Sequence, residues 1–370
     1  MNSVVLVDFA RSPFTLARKG GLAAVRPDDL AAEVVKALVY RTGLNPGDVE
    51  DLKLGCAFPE GEQGLNMARL VVLLAGLPQS VGGVTINRFC GSSMQAIHDA
   101  AGAIQMGAGE AFICAGVESM TRVPMMGFNP LPNPTLITEL PGAHIGMGDT
   151  AENVARRFVV SRADQEAFAA ESQRKAAAAD FSAEIVAVAG VTMDGCLRPD
   201  TTPEILATLA PAFRSDGVVT AGTSSPLTDG AAAVLVCSED YARRNGLPLL
   251  ARVRSVAVSG CDPEIMGMGP VGASRKALKR AGLDIKDVDI VELNEAFAAQ
   301  AIACLRELGI DEARVNLDGG AIAIGHPLGA SGARITGKAA QLLKREGKQF
   351  ALATQCIGGG QGIATVLEAC

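Results

Sequence analysis

The strongest constraint on how this chain can fold is an internal repeat. Lys36-Ala37-Leu38 leads to Gly43-Leu44, then to Asp48-Val49 and Leu54-Gly55; much later, Lys276-Ala277-Leu278 leads to Gly282-Leu283, Asp287-Val288 and Leu293-Asn294. From the first glycine onward the spacing is the same in both copies. Each copy reads as a helix stopped by glycine, a short loop and an apolar strand. The pattern continues beyond the repeat. A helical run through Met94, Ile97, Ala101 and Ile104 precedes the strand-like Ala111 to Gly116, and a helical Ser331 to Leu343 precedes the strand-like Phe350 to Thr354. Strands alternating with helices predict an α/β fold of two duplicated halves, each a mainly parallel mixed sheet covered by helices. The halves are expected at 1–245 and 246–370.

Bulk properties exclude several classes of function. The 370 residues suffice for two cores, and 48% hydrophobic with 20% charged residues fits a well-buried enzyme. A net charge of −7 leaves no basic field for nucleic acid, so an anionic ligand needs local positive groups. Nine cysteines without framework spacing point to free thiols in a reducing compartment, with the cytoplasm as default. Without a CxxC pair, and with three histidines, the chain argues against a zinc site or any other metal site. Apolar runs such as Leu70 to Leu77 are too short to span a bilayer, and Val4-Val5-Leu6-Val7 reads as a strand, not a signal peptide.

Between about 118 and 215 the composition changes. Pro124, Pro130, Pro132, Pro134 and Pro141 break regular structure, and Met120, Met125, Met126 and Met147 add adaptable apolar surface. Helices are expected at Thr150 to Val159 and after Ser161, where Asp164 completes a near capping-box pattern. The segment reads as an inserted loop domain lying over a site.

Chemistry concentrates in three places. In Asn87-Arg88-Phe89-Cys90-Gly91-Ser92-Ser93, Cys90 stands between an apparent strand and a helix start, where the helix dipole favours thiolate. Of His98, His144 and His326, the first falls inside a helix and the second in the insertion, where it can line a pocket. His326 sits in the glycine-rich corner Gly319 to Gly329, which corresponds in the second half to the Cys90 corner in the first. Two facing corners would bring His326 to Cys90 as its base. Cys356 precedes Ile357-Gly358-Gly359-Gly360, whose backbone N–H groups can approach a substrate oxygen; the alternative is a buried thiol before a tight turn. Asn294 follows the repeated strand, where it can hold a water, donate to an oxyanion or cap a helix.

Taken together, these stretches resemble the thiolases over essentially the whole chain. The resemblance rests on Asn87 to Ser93, Met147 to Asn153, Val219 to Gly222, Asp229 to Ala232, Asn294 to Ala298, Asn316 to Gly332 and Cys356 to Gly360. Thr223-Ser224-Ser225 and Gly260-Cys261-Asp262-Pro263 are most similar to the bacterial fatty-acid-oxidation 3-ketoacyl-CoA thiolases. The resemblance implies Cys90 as nucleophile, His326 as base and Cys356 as the acid that protonates an acetyl-CoA enolate. It implies one oxyanion site from His326 and an Asn294-held water, and another from the backbone N–H groups of Cys90 and Gly358. Coenzyme A enters as a substrate, with no tightly bound cofactor. It is expected on the insertion near Ser225, Arg198, Met147 and His144, although the segment Val191 to Arg198 is shorter than in typical members and Ala210 stands where a basic residue is common.

The family implies a homodimer or homotetramer, and some members associate with a hydratase/dehydrogenase partner. Three rivals are weighed. A ketoacyl synthase would carry a second histidine where Cys356 stands. A non-catalytic lipid-binding or scaffold relative would have lost Cys90, His326 or Cys356. A biosynthetic acetoacetyl-CoA thiolase would keep the same residues and run the Claisen condensation.

Overall fold

The computed structural model describes residues 2–370. Its strands are β1 (Val4–Arg11), β2 (Thr15–Leu16), β3 (Val49–Gly55), β4 (Gly82–Ile86), β5 (Ala111–Ser119), β6 (Thr228–Ser238), β7 (Ala251–Gly260), β8 (Ile290–Leu293), β9 (Phe350–Ile357) and β10 (Gln361–Glu368). The helices up to the second copy of the repeat are α1 (Pro27–Thr42), α2 (Met67–Leu74), α3 (Ser92–Gln105), α4 (Pro134–Glu139), α5 (Met147–Arg157), α6 (Arg162–Ala178), α7 (Pro203–Ala207) and α8 (Glu239–Arg244). After them come α9 (Gly269–Ala281), α10 (Ala298–Leu308), α11 (Ala321–Ile324) and α12 (Leu328–Glu346).

The repeat folds as its spacing predicts. Both α1 and α9 stop at a left-handed glycine, Gly43 at φ 66° and Gly282 at φ 72°, and each continues through a short 3₁₀ turn into β3 or β8.

The strand order is β4-β3-β5-β6-β1-β7-β10-β9-β8, with β2 paired to β6. In the first set, β4, β3 and β5 are parallel, and only β6 runs against its neighbours. The second set repeats this, with β8 parallel to β9 and β10 reversed. An isolated parallel bridge between Val291 and Val315 stands where β4 has its counterpart. The two sets are also joined: β1 and β7 pair antiparallel through Val5–Arg252 and Leu6–Ala251.

Alternation along the buried strands explains the layers. In β6, Ala231, Ala233, Leu235 and Cys237 pack outward with α1 and α2, while Ala232, Val234 and Val236 face the middle. The middle cluster joins α3 and α12 to residues of both strand sets, including Phe9, Phe112, Ile290, Ala353 and Ile363. A third cluster covers the far face with α9 and α10. The molecule is therefore helix, sheet, helix, sheet, helix, with α3 and α12 in the centre.

The excursion from the first strand set runs from the end of β5 to the start of β6, over residues 120–227, and so extends past the expected 215. α5 begins at Met147 instead of Thr150, and α12 exceeds the expected Ser331 to Leu343 at both ends. The capping box of Ser161 and Asp164 opens α6 as expected. No helix among the described residues is long and apolar enough to cross a membrane.

Candidate active site

Cys90 lies in a tight turn between β4 and α3. Asn87 Oδ1 accepts from Phe89 N at 2.8 Å, and Ser92 Oγ accepts from Arg88 N at 2.9 Å while donating to the Phe89 carbonyl at 2.6 Å. These bonds hold Phe89 at φ 43°, an unusual conformation for a side-chain-bearing residue. From β9, Gln355 Nε2 donates to the Cys90 carbonyl at 2.6 Å, tying the corner to the second strand set. Burial pushes the Cys90 thiol up to about 12, although the backbone N–H groups of Gly358 and of Cys90 itself act in the opposite direction. Desolvation thus outweighs the helix start, and the sulfur needs a base.

His326 is the buried residue of the matching corner, and its ring is held from both sides. Gly325, at φ 103°, makes the turn that admits it, and His326 N donates to Thr228 Oγ1 at 3.0 Å. Ser331 Oγ donates to the Pro327 carbonyl at 3.0 Å, so it accepts from His326 Nδ1 at 2.5 Å. Asn294 Nδ2 then donates to Nε2 at 3.3 Å. This assigns the Nδ1–H tautomer, leaving the Nε2 lone pair as the basic position. Burial first, and the charge of Arg334 second, lower the ring to about 4. The two corners meet because α3 and α12 cross near their starts, where Ala333 N donates to Ser93 Oγ at 2.8 Å. Gly332 permits the approach: a Cβ there would lie 2.4 Å from Met94 N.

Cys356 is the last residue but one of β9, at 1% exposure, packed with Ala151, Val219, Met266, Ala296, Phe297 and Met147. Burial, with the nearby Cys90 sulfur second, raises its thiol well above the ordinary range, so it rests protonated. The glycine turn beyond it carries Gly359 and Gly360 at φ 80° and 84°. A Cβ on Gly358 would stand 3.5 Å from Met147 Sδ and 3.7 Å from the Phe89 ring, so this turn faces both the thiol corner and the insertion. Asn294 caps no helix, because α10 begins at Ala298 with Phe297 in the cap position.

The remaining sequence candidates are placed less uniformly. Met147 lies against the Cys356 cluster. Ser225 is partly buried and donates through both N and Oγ to the Ala296 carbonyl, at 3.0 and 3.1 Å. Arg198 is exposed, with its backbone N donating to Gln173 Oε1 at 2.8 Å and its guanidinium in no ion pair among the described residues. His144 is exposed on the turn before α5, and no hydrogen bond among the described residues ties it to the thiols or to His326.

Sequence reasoning missed Ser331, although its position one helical turn beyond His326 was a usable signal. It also missed Glu118, whose buried carboxylate accepts from Ala57 N and Gly329 N at 2.8 and 2.9 Å and so fixes the start of α12. The edge-to-face pair Phe213–Phe297, with centroids 5.9 Å apart, was likewise unforeseen.

A duplicated α/β fold in which two crossing helices begin at a thiol corner and an imidazole corner, with a second thiol and a glycine turn, is the thiolase arrangement. Residues 4–240 match the thiolase N-terminal domain and residues 247–369 the thiolase C-terminal domain: the chain belongs to the thiolase family. It is 49% identical over 391 residues to a 3-ketoacyl-CoA thiolase of Bacillus subtilis, with all of both chains covered. Identity is 50% over 390 residues to the 3-ketoacyl-CoA thiolase of Erwinia tasmaniensis, again over the full length of both. The crystal structure of human mitochondrial 3-ketoacyl-CoA thiolase in complex with CoA superposes with a TM-score of 0.92 at 38% identity, covering 100% of this chain and 98% of that one.

Proposed function

We propose that this enzyme is a degradative 3-ketoacyl-CoA thiolase of fatty-acid β-oxidation. The observation that carries the reading is the basic Nε2 of a tautomer-locked His326 together with two neutral thiols and the Gly358 N–H directed at Cys90. The Cys90 proton passes to His326 Nε2, and the sulfur adds to the 3-keto carbon of the substrate. As the tetrahedral adduct collapses, the bond between C2 and C3 breaks and its electron pair leaves as the acetyl-CoA enolate. Cys356 protonates that carbon, and the shortened acyl group stays on Cys90 as a thioester. The thiol of a second CoA then gives its proton to the Cys356 thiolate and attacks the thioester, and the departing Cys90 thiolate takes back the proton held on His326 Nε2. The backbone N–H groups of Cys90 and Gly358 stabilise the thioester oxyanion, and the His326–Asn294 side serves the enolate oxygen.

Coenzyme A lies along the insertion near Ser225, Met147 and His144, with Arg198 toward the nucleotide. We read the halves as 1–245 and 246–370, the assembly as a homodimer or homotetramer open to a hydratase/dehydrogenase partner, and the compartment as the cytoplasm. The test is CoA-dependent thiolysis across 3-ketoacyl-CoA substrates from short to long, beside Cys90→Ala. Cleavage of longer substrates that disappears in the variant is expected. Activity confined to acetoacetyl-CoA would replace the degradative reading with the biosynthetic one, and no cleavage at any length would overturn both.

A further inference from the structure

Behind the His326 ring lies a buried ion pair that the chemistry above does not use. Glu292, on β8 two residues before Asn294, is 0% exposed, and Arg334, on α12 three residues after Ser331, is 4% exposed. Arg334 Nη1 donates to Glu292 Oε2 at 2.7 Å, and Nη2 donates to the Gly319 carbonyl at 3.2 Å. The other two polar atoms of the pair, Glu292 Oε1 and Arg334 Nε, are buried without a partner. Leaving such atoms unsatisfied is costly, so a purely structural clamp is a poor account of the pair.

Its place in the fold offers a better one. Residues two apart along a strand direction share a face, and so do residues three apart on a helix. The pair therefore bridges the strand that leads into Asn294 to the helix that carries Ser331, and these two side chains hold opposite nitrogens of the same imidazole. We propose that Glu292 and Arg334 are a positioning pair for His326. They fix the spacing of β8 and α12 across the ring and keep a cation near it, so that the imidazole rests neutral, with the Nε2 that accepts from Asn294 able to take up the Cys90 proton in the reaction. The proposal rests on the reading of His326 as the base.

The other charges on the packed elements are engaged elsewhere. On α12, Lys338 binds Glu184 at 2.9 Å and Asp318 at 2.6 Å, and Arg345 also pairs with Asp318 at 2.7 Å. Glu184 has Arg11 of β1 as a further partner. Beyond β8, Glu295 accepts from Ser172, Asn316 and Ile322, and Glu118 of β5 accepts from Gly329 N. The thiols of Cys90, Cys356 and Cys196 are all raised by burial and carry no charge. Arg334 is thus the cation left to act on the ring, in agreement with its place after burial among the causes of the His326 shift.

Burial holds Glu292 up at about 7 even beside Arg334. Removing the guanidinium therefore leaves a protonated, neutral Glu292, whereas removing the carboxylate leaves a bare cation. In the range where His326 titrates, at about 4, Glu292 is already neutral in the parent, so only the loss of the guanidinium should move His326. The experiment follows the ¹⁵N-labelled imidazoles by NMR titration, with the three histidines assigned through His326→Asn, alongside the pH profile of kcat/KM for thiolysis. In Arg334→Met, the His326 titration and the acidic limb should rise by about one pH unit. In Glu292→Gln, which is nearly isosteric and as neutral as the protonated Glu292 at that pH, and in Arg334→Lys they should stay near the unaltered position. If Arg334→Met does not fold, Arg334→Gln takes its place, with the same rise expected. Lower kcat with an unmoved His326 titration would overturn the proposal. Should the unaltered enzyme cleave no 3-ketoacyl-CoA, the ring titration still tests the pair: a rise in Arg334→Met with none in Glu292→Gln upholds the grip on His326, and no shift in Arg334→Met removes it.

Discussion

His98 and His326 are both buried and both held neutral, yet they stand in different settings. His326 is fastened at both nitrogens in the glycine-rich corner before α12, whereas His98, in the middle of α3, has one partner, Thr365 Oγ1 at 2.8 Å from Nε2. Burial, then the charges of Arg88 and Arg280, lower His98 to about 3. A histidine whose folded pKa lies below its unfolded value, near 6.5, contributes stability that is complete above that value. The contribution is lost as pH falls from about 6.5 toward 3, because the unfolded chain takes up a proton that the folded chain refuses. Replacing His98 by Asn should therefore cost stability at pH 7. The gap between the two proteins should then narrow by about 1.4 kcal/mol for each unit of acidification between pH 6 and 4.5. Urea unfolding at several pH values measures this directly. A gap that stays constant with pH would mean that His98 is charged in the fold. His98 was legible as a helix residue from its place after Cys90, but its partner was not, because Thr365 lies on the last strand.

At the scale of elements, the crossing of α3 and α12 decides whether the site exists. Each helix begins at a reactive corner, and the contact between them sets the distance between those corners. Much of this was readable: the glycine-bounded repeat announced the matching halves, and the two corners could be paired by their positions within them. The contact itself was not readable, because Gly332 and Met94 are far apart in sequence and nothing local marks which glycine faces another backbone. Gly332→Ala tests it. A Cβ placed 2.4 Å from Met94 N must push α12 away from α3, since a backbone atom cannot turn aside as a flexible side chain would. A displacement of about 1 Å at a reacting pair can cost on the order of 100-fold in rate. The expected result is a loss of that size in kcat, with a smaller change in KM, while circular dichroism stays close to that of the parent. Unchanged kcat would show that the corners are spaced by other contacts.

The whole molecule is held together by charges as well as by its three apolar layers. Arg11 of β1 is fully buried and binds Asp194 through both terminal nitrogens, at 2.7 and 2.8 Å, and Glu184 at 2.6 Å. Both carboxylates belong to the insertion. Glu184 continues to Lys338 of α12, which passes the chain of charges to Asp318 and Arg345. The insertion is thereby tied to the first strand and to the central helix at once. Sequence patterns conveyed little of this, because each ion is isolated among apolar or loop residues and its partner lies up to 183 residues away. The joining of the strand sets through β1 and β7 was hidden for the same reason: two register pairs leave no trace in periodicity. Such a network implies that insertion and core unfold as one unit. Arg11→Met would leave Asp194 with the Phe14 N–H and Glu184 with Lys338, stranding buried negative charge at a cost of about 3–5 kcal/mol. Three buried free cysteines report on separate regions: Cys196 in the insertion, Cys237 on β6 and Cys304 on α10. Pulsed thiol labelling across a urea series should find all three exposed in a single transition, at a lower midpoint in Arg11→Met than in the parent. Labelling of Cys196 well before the other two in the parent protein would mean that the insertion is held on its own, and that the charges crossing from it do not couple it to the sheets.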